Sequence, residues 1–585
     1  MRNIYRLAGG LFSCACLFSQ QTFYSGTDAT GRLQLTSVTN ASQPTVSLRS
    51  LARFGVVKSY PEVKPHVVEP QRTHIRSLVT ARALTATVTQ SLTVNPSTTA
   101  ANFLGLTHYD QRNANNGNQF SLEPPSQEVA AANGYVLEGV NNAIQVYNSS
   151  GKPLLVTPAL STNQLFGVPA AIDRNTGVNG VYPTDMRVFH DPDIDRWFVV
   201  QRAQDNDADG NSLNSSHLYV AVSQSGDPTG MYNIYTMDTT NPLRIGCPCF
   251  SDFPQIGADK YGIYISSDEF DTVFGQFADV SILAISKASL AAGVSSPTMQ
   301  EFVLRKVTGF EQTVRPAITP PGASYYLASG GVEYFASSNS SFSSDNRFAL
   351  WAMTNTASLG TKPSLTLVQT LVPGLPYRFP DVATQRPGSL PYGSTLLPPG
   401  LLAFIDGGQD CRILSLTYAG GRLYATLATE TTDQTGHPVV AGAYAILSPT
   451  FRLGVLAANL LRQGYLVVDS SHILRPAIAV NPQGRGAIVF TLVGPKYFPS
   501  AAFVPISTFS TGTALQVAGT GAAPEDGFTG YPDLGFSMAG VARWGDYSSA
   551  VAAADGSIWM ATEYIPAAPR TDFANWGTRV IHYVP

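Results

Sequence analysis

Charge is scarce in this chain. Asp, Glu, Lys and Arg make up 13% of its 585 residues, about half the roughly 25% usual in soluble proteins. The 36 Lys and Arg stand against 40 Asp and Glu, for a net charge of −4. Nothing there argues for nucleic acid, which calls for a concentrated basic face. Cysteine is rare, at five residues, which excludes a disulfide-dense scaffold. The eight His are scattered without metal-ligand spacing. The chain has no Gly-x-Ser-x-Gly elbow, which argues against a serine hydrolase of that type, and no Gly-rich phosphate loop. Beyond the N-terminus no run of ~18 uncharged apolar residues occurs, so no membrane-spanning helix is expected. Gly (51) and Pro (40) are plentiful, and 44% of residues are hydrophobic. That is the composition of many short strands joined by many turns, not of a disordered chain.

Residues 1–25 read as an export signal. Arg2 and Arg6 give the positive start, Leu7 to Phe18 the short apolar run, and Ser13-Cys14-Ala15 a cleavage zone. Leu11-Phe12-Ser13-Cys14 also resembles a lipoprotein box, so secretion and a lipid anchor both stay open. A secreted or cell-surface protein, periplasmic included, is expected either way. Removing the signal leaves Cys247, Cys249 and Cys411. An odd count implies a free thiol or an intermolecular bond. A disulfide from Cys411 to either of the others, or three inert cysteines, are the alternatives. Residues 26–100, rich in Ser, Thr, Val and Arg, read as a loosely attached N-terminal extension.

From residue 101 to 585 one pattern recurs seven times: a Pro or Gly beside a polar residue, an apolar run, a Gly or Asn turn, and a second apolar run. The copies start at Pro125, Pro183, Phe253, Arg315, Phe379, Arg475 and Trp544. An all-β repeat of about 60–95 residues predicts a seven-bladed β-propeller with an N-terminal extension. Second strands are expected at Tyr135 to Val140, Arg196 to Val200, Tyr261 to Ser266, Tyr325 to Leu327, Leu401 to Phe404, Gly486 to Leu492 and Ile558 to Tyr564. An insertion is expected near 440–470. The last blade has no residues left for a fourth strand, so Phe103 to Leu106 is expected to close the ring.

Several stretches resemble uncharacterised bacterial exported β-propeller proteins, distantly sialidase-like in architecture. They are Phe120-Ser-Leu-Glu-Pro-Pro125, Asn141-Asn-Ala-Ile-Gln-Val-Tyr147, His190-Asp-Pro-Asp-Ile-Asp-Arg-Trp197, Asp252-Phe-Pro-Gln-Ile-Gly257 and Ala542-Arg-Trp-Gly-Asp-Tyr-Ser548. Sialidases carry Ser-x-Asp-x-Gly-x-x-Trp boxes. Here only Asp555-Gly-Ser-Ile-Trp559 is similar, in altered spacing.

In a propeller the first strand of each blade lines the central channel, and its start falls on the same face as the end of the second strand. Asp185, Asp252, Arg315, Arg378, Asp381, Arg475, Arg543 and Asp546 are therefore expected round one mouth, with Asn141, Gln201, Asp268, Glu269 and Glu563 entering from second strands. Four arginines there could grip a carboxylate, sulfate or phosphate, and the carboxylates could serve as acid and base. The alternative is that Arg–Asp pairs lock neighbouring blades. The functional expectation is a module binding an anionic glycan or a protein. The other reading is a sialidase-like glycoside hydrolase or lyase. Asp205, Asp207 and Asp209 alternate before Gly210 like the start of a Ca²⁺ loop, although position twelve is Ser216 and not Glu. The five Trp residues are expected to pack in blade cores more often than to stack on sugars.

Overall fold

The computed structural model describes residues 21–42, 89–96, 100–155, 158–305, 312–340, 343–396, 404–408, 410–531 and 540–585. Seven antiparallel meanders stand round one axis, and their innermost strands are Glu128–Ala132, Tyr182–Asp191, Cys249–Ala258, Arg315–Pro316, Ile413–Ala419, His472–Val480 and Ser549–Ala552. Each inner strand touches the next, and the last touches the first, so the ring is closed. The protein is a seven-bladed β-propeller.

The blades are apolar on both faces because each face packs on a neighbour. Trp197-Phe-Val-Val200 in blade 2 shows the division of labour. Trp197 and Val199 join the core shared with blade 1, whereas Phe198 and Val200 join the core shared with blade 3. All five Trp residues are buried, Trp197, Trp351 and Trp559 between blades and Trp544 and Trp576 in a cluster that also takes in Ala383 and Ile405 of the stretch before blade 5. Near the start of six inner strands the backbone turns left-handed, at Ser126, Asp185, Phe253, Thr313, Arg475 and Gly545. At Asp185, Phe253 and Arg475 this coincides with a break in the strand register, the signature of a bulge that re-aims the side chains beyond it.

Phe103 and Leu104 pair with Val580 and Arg579, so the strand Ala100–Thr107 completes blade 7 as expected. Glu138 of blade 1 clamps this closure. Its carboxylate accepts the Leu106 amide at 3.0 Å and the Tyr147 hydroxyl at 2.9 Å, and also bonds the Thr578 hydroxyl.

The other described parts of the N-terminal segment are laid on the rim and are not loosely attached. Thr22–Ser25, Thr27–Asp28 and Gln34–Asn40 add an outer strand to blades 4, 3 and 2, and Thr89–Ser91 and Thr93–Pro96 do the same for blades 5 and 6. Gln21 and Thr22–Ser25 lie inside the segment read as a signal, while residues 1–20 of that reading, Cys14 included, lie outside the described residues.

Two blades differ from expectation. Tyr325 to Leu327 is not a strand, and the second strand of blade 4 is Val332–Ser338. Blade 5 starts at Ile413, not near Phe379, and runs through Arg422–Thr432, Pro438–Arg452 and Val455–Val467. Residues 440–470 are thus two regular strands, and the insertion is the stretch 378–412 before them. Leu401 to Ala403 lie outside the described residues. Cys247 and Cys249 form a disulfide, whereas Cys411 is a buried free thiol in the core between blades 4 and 5. Among the described residues no helix is long and apolar enough to cross a membrane.

Candidate functional site

The face where inner strands begin carries most of the residues singled out above, and there they bind one another. Arg202 Nε lies 2.8 Å from Asp185 in its own blade and 3.2 Å from Asp252 in blade 3. Arg412 lies 2.6 Å from Asp410 and 3.8 Å from Asp268, with its cation 4.0 Å from the centre of the Phe253 ring. Arg543 is 3.4 Å from Asp546, which accepts the Ser126 hydroxyl of blade 1 at 3.0 Å. Arg475, 2% exposed, donates to the carbonyls of Trp544 at 2.9 Å and Gly408 at 2.7 Å, with Asp406 at 3.6 Å. Arg202–Asp252, Asp546–Ser126 and Arg475–Trp544 join different blades, and Arg412–Asp268, Arg475–Gly408 and Arg475–Asp406 tie a blade to the 378–412 insertion, as braces would. Glu563 is fully enclosed and accepts the Gly545 amide at 2.7 Å. Burial pushes its carboxyl well up, and Glu123 and Asp546 nearby add to this.

Three of the expected residues lie elsewhere. Arg315 sits one layer deeper in the channel, bonded to Gln255. Arg378 and Asp381 belong to the insertion and stand off the axis, beside blade 5. Arg378 Nη2 binds Glu430 at 2.6 Å. Asp381 opens, with Glu430, into a cavity of about 350 Å³ lined also by Val382, Val439, Val440 and His472. Glu430 ends a second strand, Val439 and Val440 begin a third, and His472 begins the next blade, so the cavity opens on the same face as the mouth.

Within it His472 is held as a neutral ring. Nδ1 faces the Val440 amide at 3.2 Å, and Nε2 faces the Thr384 amide at 3.2 Å and the Thr384 hydroxyl at 3.1 Å. Burial lowers its pKa to about 4. Glu430 is pushed up, chiefly by burial and further by Asp381, against the pull of Arg378. The cavity therefore presents carboxylate acceptors over an apolar floor, and its nearest guanidinium is engaged by Glu430.

The Asp205–Asp209 loop does not gather its carboxylates. Asp205 takes the Ser215 hydroxyl at 2.7 Å and lies 3.0 Å from His217. Asp207 accepts the amides of Asp209 and Asn211 at 3.0 and 2.8 Å, and Asp209 is exposed. No group of three His, Cys, Asp or Glu among the described residues is placed to hold a metal ion. Asp555 accepts the amide and hydroxyl of Ser557, closing a tight turn on blade 7.

Sequence reasoning missed Arg202, Arg412, Asp410, Glu430 and His472. The misplaced start of blade 5 hid Arg412 and Asp410, and it hid Glu430 by assigning the wrong second strand. Arg202 follows Gln201, the second-strand exit, and was recoverable from that position.

No protein-family model matches the chain, and no curated protein matches it. Solved structures similar to it include a Trypanosoma rangeli sialidase in complex with sialic acid, at 11% identity and TM-score 0.30, covering 68% of this chain and 54% of that one. Another is a protein of unknown function from Dyadobacter fermentans, at 11% identity and TM-score 0.31, covering 71% and 97%. A third is an α-L-arabinanase from Penicillium chrysogenum complexed with arabinobiose, at 10% identity and TM-score 0.28, covering 68% and 92%. The chain spans about half the length of the sialidase it matches.

Proposed function

We propose that this protein is an exported ligand-binding propeller that takes a glycan in the cavity between blades 5 and 6. The observation that carries this reading is the pairing of Asp381 and Glu430 at a cavity of about 350 Å³, within the size range of small-ligand sites. Carboxylates accept hydrogen bonds from hydroxyls, and Val382, Val439 and Val440 supply apolar surface for the carbon face of a sugar ring. A neutral, hydroxyl-rich ligand suits this lining better than an anion, because the arginines of the mouth and Arg378 are already engaged by carboxylates or carbonyls. Export agrees with the Cys247–Cys249 disulfide, since such bonds persist in oxidising compartments.

The test is a glycan array followed by titration calorimetry. Asp381→Asn and Glu430→Gln are each expected to weaken binding tenfold or more, about 1.4 kcal/mol, with the fold intact. Binding unchanged in both variants would overturn the assignment.

Glycoside hydrolysis is the second reading. Burial favours the protonated form of Glu430, and a proton-holding carboxyl beside a second carboxylate is the equipment such cleavage uses. Release of new reducing ends from a bound oligosaccharide, lost in Glu430→Gln, would establish it.

A further inference from the structure

The bulges at the start of the inner strands have a second effect, two residues further along. Counting two on from Ser126, Asp185, Phe253, Thr313, Arg475 and Gly545 gives Glu128, Arg187, Gln255, Arg315, Ala477 and Tyr547. Alternate strand residues share a face, so these side chains form one layer inside the channel, below the mouth. Contacts within the layer agree. Arg187 bonds Glu128 and donates Nε to the Pro254 carbonyl at 2.8 Å, and its guanidinium carbon lies 3.3 Å from the centre of the Tyr547 ring. Arg315 bonds Gln255. Tyr547 donates its hydroxyl to the Met186 carbonyl at 2.8 Å.

The layer does not balance its charge. Arg187 and Arg315, 1% and 5% exposed, face a single carboxylate, Glu128. The charged or ionisable groups acting on Arg315 are Arg187, which opposes its charge, and Glu128 and Tyr547. Of the mouth aspartates, Asp546 and Asp252 act with Asp410 and Asp268 on Arg412, and Asp185 and Asp546 reach Tyr547 in the layer, but none of them is among the groups acting on Arg315. Burial first, and Arg187 second, bring Arg315 down to about 9. Two donors are also left over. Arg187 Nη2 and Arg315 Nε are buried without a hydrogen-bond partner among the described residues. Leaving a buried donor unmade is costly, more so on a cation. A water molecule would satisfy a donor but leave the surplus positive charge in a low-dielectric site.

We infer that the central channel holds a small monovalent anion of halide size, bound between Arg187 and Arg315 as an internal counter-ion of the ring. The anion supplies the acceptor that both guanidiniums lack and neutralises the layer. It is buried below the mouth and independent of the glycan cavity beside blade 5.

The test uses the whole protein and bromide. Thermal unfolding is followed at constant ionic strength while bulky gluconate is replaced by bromide. Above its dissociation constant, each tenfold rise in bromide should raise the folded-to-unfolded ratio tenfold. Arg315→Gln, which keeps a polar side chain but shortens it and removes the charge, should abolish the response and leave the midpoint in gluconate equal to or above that of the wild type. Anomalous diffraction from a bromide-grown wild-type crystal should place one peak between the two guanidiniums, and this measurement stands even if the variant fails to fold. A wild-type midpoint that does not move with bromide, an equal response in a folded Arg315→Gln, or a channel layer without an anomalous peak would each overturn the inference.

Discussion

Gly105 is the point where ring closure is most exposed to a single atom. A methyl group there would lie 2.4 Å from Oε1 of Glu138 and from the Thr578 hydroxyl oxygen, and 2.7 Å from the other Glu138 oxygen. Both neighbours are fully buried, so neither can swing into solvent. The backbone at Gly105 is not left-handed, and the cost of Gly105→Ala is therefore steric. Relief requires the Glu138 carboxylate to withdraw from the Leu106 amide and the Tyr147 hydroxyl. Overpacking of this kind costs about 1–3 kcal/mol, and disturbed hydrogen bonds to a charged group about 1.5–3 kcal/mol. Reduced freedom of the unfolded chain returns about 0.4–1 kcal/mol. The net expectation is a loss of about 2–5 kcal/mol, large against the roughly 5–15 kcal/mol of a typical domain. Urea unfolding gives the global value, and amide hydrogen exchange across Ala100–Thr107 reports the closing strand directly. Gly360→Ala is the control, because a methyl there meets nothing within 4 Å and its backbone is ordinary. If Gly105→Ala and Gly360→Ala unfold at the same urea concentration with equal protection over 100–107, the clamp does not bear on closure.

Burial raises Glu138 to about 7 and Glu269 to about 8. The folded protein thus holds more protons than the unfolded chain between the ordinary Glu value and these, and stability contributed by both groups falls as pH rises through that window. Glu138→Gln should flatten the slope between pH 5 and 7 by up to about 1.4 kcal/mol per pH unit; an unchanged slope would refute the assignment. Arg475→Ala should destabilise the ring by about 2–4 kcal/mol, since it strips charged donors from two carbonyls, and a variant as stable as the wild type would show that Arg475 is not a brace. Chelation should leave the melting temperature unchanged, because the Asp205 and Asp207 carboxylates are already bonded within their own hairpin; a clear drop on adding chelator would establish the calcium site. Cys411 should resist thiol reagents in the folded protein, as burial raises its thiol well up, and mass spectrometry of the native protein showing rapid labelling there would contradict its place in the core.

Seven blades were legible because the signals are local. Asn133-Gly134, Asp555-Gly556 and Asn481 to Gly484 sit where the chain reverses between two apolar runs, and short-range turn chemistry needs no knowledge of the rest. Blade 5 was misread because the insertion at 378–412 carries its own Phe-Pro-Asp, which imitates the start of a blade, while the true inner strand at Ile413 follows Cys411-Arg412 without a Pro. Asp185, Asp252 and Arg475 lie near the starts of their inner strands, whereas Arg315, in a blade whose start was correctly found, lies one layer deeper. Their partners were harder to read. That Arg202 reaches Asp252, or Glu138 reaches Leu106, depends on which blades are neighbours and how far a side chain extends, and no window of sequence contains both ends. The rim strands were invisible for a related reason. Gln34 to Asn40 has the alternation of a strand but nothing to name its partner, which lies about 200 residues away.

The rim strands also impose an order of events. Thr22–Ser25 pairs with Gln369 to Thr366, so these residues have no partner until the chain has been made as far as blade 4. Assembly then finishes from the outside: blades first, girdle last. Removal of the girdle should leave a ring that associates edge to edge, since five outer strands would have lost their cover.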